Sequence, residues 1–186
     1  MRIIGGKFKG KKLFLPIDKK TRPLKDMVKE SIFNLIQHSK KINVEIENAT
    51  ILDLFSGSGS FGLECISRGA KNVYFFENYS EALKLLRKNI LTLKENQKYK
   101  IFENDCFNYF KLNENLDIKF DIIFMDPPYK ELRINEIIEK IIEKNFLTSN
   151  GIVITHRHKK DTVKITEKLK IFENRTYGIS RILFGN

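Results

Sequence analysis

Cysteine is scarce. Cys65 and Cys106 are the only two in 186 residues, they lie far apart, and neither belongs to a C-x-x-C or Cys/His cluster. That excludes a disulfide framework and a structural zinc site of ordinary spacing, and it fits a reducing compartment. No apolar run reaches the ~18 residues of a membrane-spanning helix, and the opening "MRIIGGKFKGKKLFLP" holds no apolar stretch of signal-peptide length. The expectation is a soluble, cytoplasmic protein. No internal repeat, low-complexity tract or Pro/Gly-rich linker divides the chain. It reads as one domain, residues 1–186, with a basic extension over 1–20 and a core over 21–186. A domain of this size buries about 70% of the surface its unfolded chain exposes.

Acidic residues are also in short supply, 23 against 34 Lys and Arg, for a net charge of +11. A/T-biased composition raises lysine everywhere but does not place it. Residues 1–30 hold ten basic side chains against Asp18, Asp26 and Glu30, so +7 of the charge sits in one sixth of the chain. A second concentration runs from Arg157 to Lys170. Clustering of this kind favours a polyanionic partner, most economically nucleic acid.

What is present alternates regularly. Residues 2–15 read as a basic hairpin, "RII" and "KKLFLP" around a loop with Gly5, Gly6 and Gly10. A helix follows over 25–37, with Val28, Ile32, Leu35 and Ile36 on one face. From Thr50 onward, strands "TILDLF", "NVYFF", "YKIF", "FDIIFMD" and "GIVITH" are separated by helices near 60–68, 79–94, after Asp105, and 133–145. Two more strands, "LKIFENRTY" and "ISRILFG", close the chain with no helix between them. Alternation predicts an α/β fold: a doubly wound, mostly parallel seven-stranded sheet with helices on both faces and an antiparallel hairpin at one edge. Ligands of such sheets sit outside the carboxyl ends of the strands.

The segment "DLFSGSGSFGLE" carries G-x-G-x-x-G in Gly57, Gly59 and Gly62, following a strand and opening a helix. Glu77 lies twenty residues after Gly57 at the end of the next strand, where a carboxylate can accept from ribose hydroxyls. The competing reading is a tight structural turn beside an ordinary strand-end glutamate. Asp53 is awkward beside a pyrophosphate and suits a ligand with a cationic amino-acid portion. Asp105 is placed either to accept from an exocyclic adenine amine or to cap the helix starting at Cys106, and one side chain can do both.

The fourth strand ends in Asp126-Pro127-Pro128-Tyr129. The prolines remove two backbone donors and stiffen the loop. The exocyclic amine of a base is a poor nucleophile because its lone pair is delocalised into the ring. Accepting its two hydrogens on the Asp126 carboxylate and the Pro127 carbonyl pulls the nitrogen toward tetrahedral geometry and aims the lone pair at a methyl sulfonium. Tyr129 can stack on the unpaired or flipped base. His156 and His158, flanking Arg157, are expected where the fifth strand meets basic, solvent-exposed loops rather than as metal ligands, and Cys65 as a small core residue. No metal site is expected.

These motifs together resemble class I S-adenosylmethionine (SAM)-dependent methyltransferases, and more closely the RsmD family of bacterial 16S rRNA guanine-N2 methyltransferases. "RIIGGKFKGKKL", "TRPLKDMVKESIFN", "DLFSGSGSFGLEC" and "FMDPPY" carry the resemblance along nearly the whole chain. D-P-P-Y is shared with DNA adenine-N6 methyltransferases, so it points to amine methylation without naming the base. The resemblance implies SAM binding by Asp53, Phe55, Ser56, Gly57, Gly59, Glu77, Asn78, Asp105 and Cys106. It implies that Asp126, Pro127, Pro128 and Tyr129 hold the target guanine, and that Arg2, Lys7, Lys9, Lys11, Lys12 and Arg22 contact 16S rRNA. The substrate would be an assembled or assembling small subunit, and the enzyme a monomer. "THRHKK" stands where an acidic residue is expected after the fifth strand. The other readings are a DNA adenine-N6 methyltransferase, an inactive nucleic-acid-binding protein of the same fold, and a dinucleotide-dependent oxidoreductase.

Overall fold

The computed structural model describes residues 1–16, 24–94, 98–112 and 118–186. Arg22 and Pro23 lie outside them. Apolar runs bounded by turns form the strands β1 (Thr50–Leu54), β2 (Asn72–Phe76), β3 (Lys98–Phe102), β4 (Phe120–Met125), β5 (Leu147–His158), β6 (Ile171–Tyr177) and β7 (Ser180–Gly185). They build one seven-stranded sheet in the order β3-β2-β1-β4-β5-β7-β6. The first five strands are parallel, and β7 inserts antiparallel between β5 and the edge strand β6. The expected final hairpin is thus present, turning at Gly178, whose φ of 59° suits a residue without Cβ.

Helices α1 (Asp26–His38), α2 (Ser60–Ser67), α3 (Ser80–Leu93), α4 (Cys106–Leu112) and α5 (Ile134–Glu143) fall on the expected segments. Strand alternation sends Ile51, Val73, Phe75, Ile122 and Phe124 into one core with α1, α2 and α3. Leu52, Leu54, Phe76, Ile123 and Met125 enter a second core with α4 and α5, where Ile134, Ile137, Ile138 and Ile141 are buried. Among the described residues no helix is long and apolar enough to cross a membrane.

The expected N-terminal hairpin is present and short: Arg2 bridges Lys12, Ile3 N–H donates to the Lys11 carbonyl (2.9 Å), Gly10 N–H to that of Ile3 (2.8 Å) and Leu13 N–H to that of Met1 (3.2 Å). Its loop also bonds to α2. Ile4 and Gly5 donate their N–H groups to Glu64 (2.8 and 2.7 Å), and Lys7 and Phe8 donate to the Ser67 carbonyl and hydroxyl (2.7 and 2.9 Å). A Cβ at Gly6 would stand 1.8 Å from the Ser67 carbonyl oxygen, so only glycine permits this approach. One local expectation is corrected: β5 runs from Leu147 to His158 rather than over 151–156. A register shift between Phe120 and Ile122 of the partner strand absorbs its polar start, and pairing with β7 carries its end through Arg157 and His158. His156 and Arg157 are therefore strand residues, 4% and 2% exposed, and not part of a solvent-facing loop.

Candidate active site

Parallel register brings the chemistry to one edge. Leu54 pairs with Phe76 and Met125, Phe76 with Phe102, and Met125 with Thr155. The residues just past these positions lie at the same end of the sheet, around a cavity of about 370 Å³. Asp53, Phe55, Ser56, Gly57, Glu77, Asn78, Asp105, Cys106 and all four residues of Asp126-Pro127-Pro128-Tyr129 line it. Its volume lies in the range of small-molecule sites.

The three glycines of the turn serve different physical needs. Gly57 (φ 57°) lines the cavity and has open space where a Cβ would stand. Gly59 does not line the cavity. It has φ 86°, and a Cβ there would meet Leu86 of α3 at 2.5 Å. Gly62 lets α2 approach β2, because a Cβ would meet the Phe75 ring at 2.2 Å. Phe55 itself has φ 60°, a conformation that costs a bulky residue about 1–3 kcal/mol and marks local strain at the cavity wall.

Asp53 is buried, and its Oδ2 accepts the Gly62 N–H at 2.9 Å. Burial pushes its carboxyl up to about 8, and the nearby Asp126 and Glu77 carboxylates add to the rise. Glu77 braces the turn, with Oε2 accepting from Gly57 N–H (2.7 Å) and Oε1 from Asn78 and Tyr79 N–H (2.9 and 2.8 Å). That leaves about one of its four acceptor positions for a ligand. Asp105 caps α4 through Asn108 N–H (3.0 Å), and its other oxygen lies 3.4 Å from the Asn78 amide. Burial pushes the Cys106 thiol up to about 12, so it is a wall and not a nucleophile.

Across the cavity, Asp126 Oδ1 meets His156 Nδ1 at 2.8 Å. Arg157, on the other face of β5, grips the loop after Asp126. Its guanidinium donates to the carbonyls of Glu131 (2.9 Å), Pro128 and Tyr129 (both 3.4 Å), while Asp161 balances its charge. Tyr129 packs edge-on against His158, with centroids 5.0 Å apart. Seven strands in this order, with a glycine turn after the first and D-P-P-Y after the fourth, can now be compared with known proteins. A family described as "Conserved hypothetical protein 95" matches residues 1–186. YlbH of Bacillus subtilis, named as a candidate rRNA methyltransferase, is 31% identical over 98% of this chain and 96% of its own. The Haemophilus influenzae protein named ribosomal RNA small subunit methyltransferase D is 31% identical, covering 96% of this chain and 90% of its own. The solved structure of a candidate methylase from that organism covers 100% of this chain and 97% of its own, with a TM-score of 0.77 and 30% identity. This chain belongs to the RsmD family.

Its fold is that of the class I methyltransferases. In this RsmD-family chain several residues at the site escaped the sequence reading. Ser60 lines the cavity at the first turn of α2, and its hydroxyl is buried without a hydrogen-bond partner among the described residues. Its place between two motif glycines is the signal that could have found it. His156 and Arg157 follow the apolar run "GIVIT", and the residues past such a run belong to the ligand edge. Asn89, buried on α3, bonds Phe14 of the N-terminal arm in both directions and donates to the Ser58 carbonyl of the glycine turn (2.9 Å). It had no recognisable pattern.

The basic arm is divided in its availability. Lys7, Lys9 and Lys12 are exposed, and Arg2 lies 3.8 Å from Asp26. Lys11 is half-buried and donates to the Thr92 carbonyl of α3.

Proposed function

We propose that this protein transfers a methyl group from SAM to the exocyclic N2 amine of a guanine in 16S rRNA, acting as a monomer on an assembled or assembling small subunit, with the whole chain one domain. The observation that carries this reading is Asp126-Pro127-Pro128-Tyr129 on the wall of the cavity that the glycine turn, Glu77 and Asp105 also line. Relatives named for rRNA methylation supply the polymer.

The residues present fit SAM. The unpartnered Ser60 hydroxyl and the start of α2 at Ser60 and Phe61, on the cavity wall, suit a carboxylate. Asp53 and the other cavity carboxylates suit an ammonium and a sulfonium. Glu77 offers its remaining acceptor position to a ribose hydroxyl, and Asp105 with Asn78 faces an adenine edge. When bound, SAM supplies an electrophilic methyl whose S–C electron pair stays on sulfur as the new N–C bond forms.

The chain's own groups prepare the nucleophile. Pro128's carbonyl is taken by Glu131 N–H (2.8 Å) and Arg157, so Pro127's carbonyl is the acceptor offered to the amine beside Asp126. Those two acceptors orient the nitrogen lone pair, and Tyr129 stacks on the base. The Asp126 carboxylate stabilises the positive charge that develops on nitrogen, then accepts the proton it sheds and returns it to solvent. The exposed Arg2, Lys7, Lys9 and Lys12 meet phosphates.

Asp126→Ala should lower turnover by at least about 100-fold with SAM affinity by calorimetry nearly unchanged. Unchanged turnover would sink the mechanism. Labelled methyl should enter small ribosomal subunits or free rRNA. Incorporation into duplex DNA alone would move the activity to the adenine-N6 class.

A further inference from the structure

Asp126 is the only carboxylate in the proposed chemistry that must present a chosen oxygen to a chosen hydrogen, and a carboxylate at the end of a strand can rotate. In this protein the rotation is stopped from one side. His156 stands one residue past Thr155, the β5 partner of Met125, so parallel pairing sets it beside Asp126. Its ring is enclosed, and Nδ1 lies 2.8 Å from Asp126 Oδ1. Nε2 is buried with no hydrogen-bond partner among the described residues.

That unpartnered nitrogen decides the tautomer. A proton on Nε2 would be a buried donor with nothing to receive it, a costly arrangement and more so on a charged imidazolium. An unprotonated Nε2 leaves only a weak acceptor unmet. The neutral ring with its proton on Nδ1 is therefore the form that fits, and it donates to Asp126. Asp126 Oδ1 is then occupied as the acceptor, and Oδ2 is left for another donor.

We propose that His156 is the positioning residue for Asp126: its Nδ1–H holds Oδ1, so that Oδ2 is the oxygen presented to the target amine. The inference rests on the reading of Asp126 given above. His156 touches neither substrate nor cofactor in this scheme and acts only through the carboxylate. The neighbouring Arg157 fixes the backbone of residues 128–131, whereas His156 fixes the side chain that precedes them. One strand end thus sets both acceptor positions.

The test separates a hydrogen-bond donor from a space-filling ring. His156→Leu fills the space without a donor, and His156→Asn places an amide N–H near the position of Nδ1. With small subunits as substrate, His156→Leu should lower kcat roughly 10- to 100-fold, leaving KM for the subunit and SAM affinity by calorimetry unchanged. His156→Asn should recover most of that loss. In the Asp126→Asn background, His156→Leu should have no further effect. Equal kcat in the Leu and Asn variants, or a loss confined to KM, would overturn the proposal. Nitrogen-15 NMR of the wild-type imidazole tests it without any variant. A proton on Nδ1 and none on Nε2 is expected, and the opposite tautomer would overturn it. If Asp126→Ala retains turnover, the functional reading itself fails. If Asp126→Ala is inactive and His156→Leu is fully active, only this inference fails.

Discussion

Asp53 holds the sharpest conflict at the scale of single residues. Among the described residues its enclosed carboxyl has one N–H partner and faces two other carboxylates. Because it is raised from 3.8 to about 8, the folded protein retains a proton there that the unfolded chain has released. Its contribution to stability is complete below the lower value, falls as pH rises, and is gone above the higher one. Asp53→Asn should flatten that decline, measured as the urea midpoint across the window. An unaltered slope would show that another group is responsible. A cationic ligand should draw the proton out, so SAM binding to the wild type near neutral pH should release protons in calorimetry, and binding to Asp53→Asn should not. The residue was legible in the sequence as a carboxylate four positions before Gly57. Its burial and its bond to Gly62 were not, because both depend on how closely α2 packs against the sheet at β1.

At the scale of elements, the N-terminal arm is held to the core by buried polar groups. Glu64 and Lys29 are both fully enclosed, 3.4 Å apart, and Glu64 also accepts from Arg68 and from the amides of Ile4 and Gly5. Burial pushes the Lys29 ammonium down, and the Glu64 carboxylate opposes that shift. Breaking one partner of such a pair costs about 3–5 kcal/mol. Glu64→Gln should lose stability of that order in urea unfolding. It should also speed hydrogen exchange at the Ile4 and Gly5 amides more than at β1. Uniform acceleration across the fold would mean that the arm is not separately anchored. The elements themselves were largely legible, since helices α1 to α5 and seven strands follow from periodicity and turn residues. The arm's hairpin was legible as well, but its anchoring was not: the amides of Ile4, Gly5, Lys7 and Phe8 bond Glu64 and Ser67, a long-range choice that no local pattern encodes.

At the scale of the whole molecule, charge is divided by place. Carboxylates gather around the cavity, while lysines crowd the arm. The count of basic residues overstated the available surface, because Lys11 is bonded to Thr92 and Arg157 is sealed under the loop after Asp126. If the arm meets RNA phosphates, Lys9→Ala and Lys12→Ala should each lower the slope of log affinity against log salt by about one. Lys11→Ala should leave the slope nearly as it was. Filter binding to small subunits over a salt series checks this, and equal changes in all three variants would refute the division.

By itself, the sequence determined the α/β alternation, the glycine turn and the D-P-P-Y loop, because each depends on side chains adjacent in the chain. Tertiary structure decided which groups face one another. Parallel register set His156 against Asp126, and pairing with β7 drew Arg157 into the interior. Close packing then sorted three identical glycines into one that faces the cavity and two that let helices approach. Contacts of this kind join residues well separated in the chain, from 13 positions for Gly62 and Phe75 to 30 for Asp126 and His156, and they exist only once the strands are side by side.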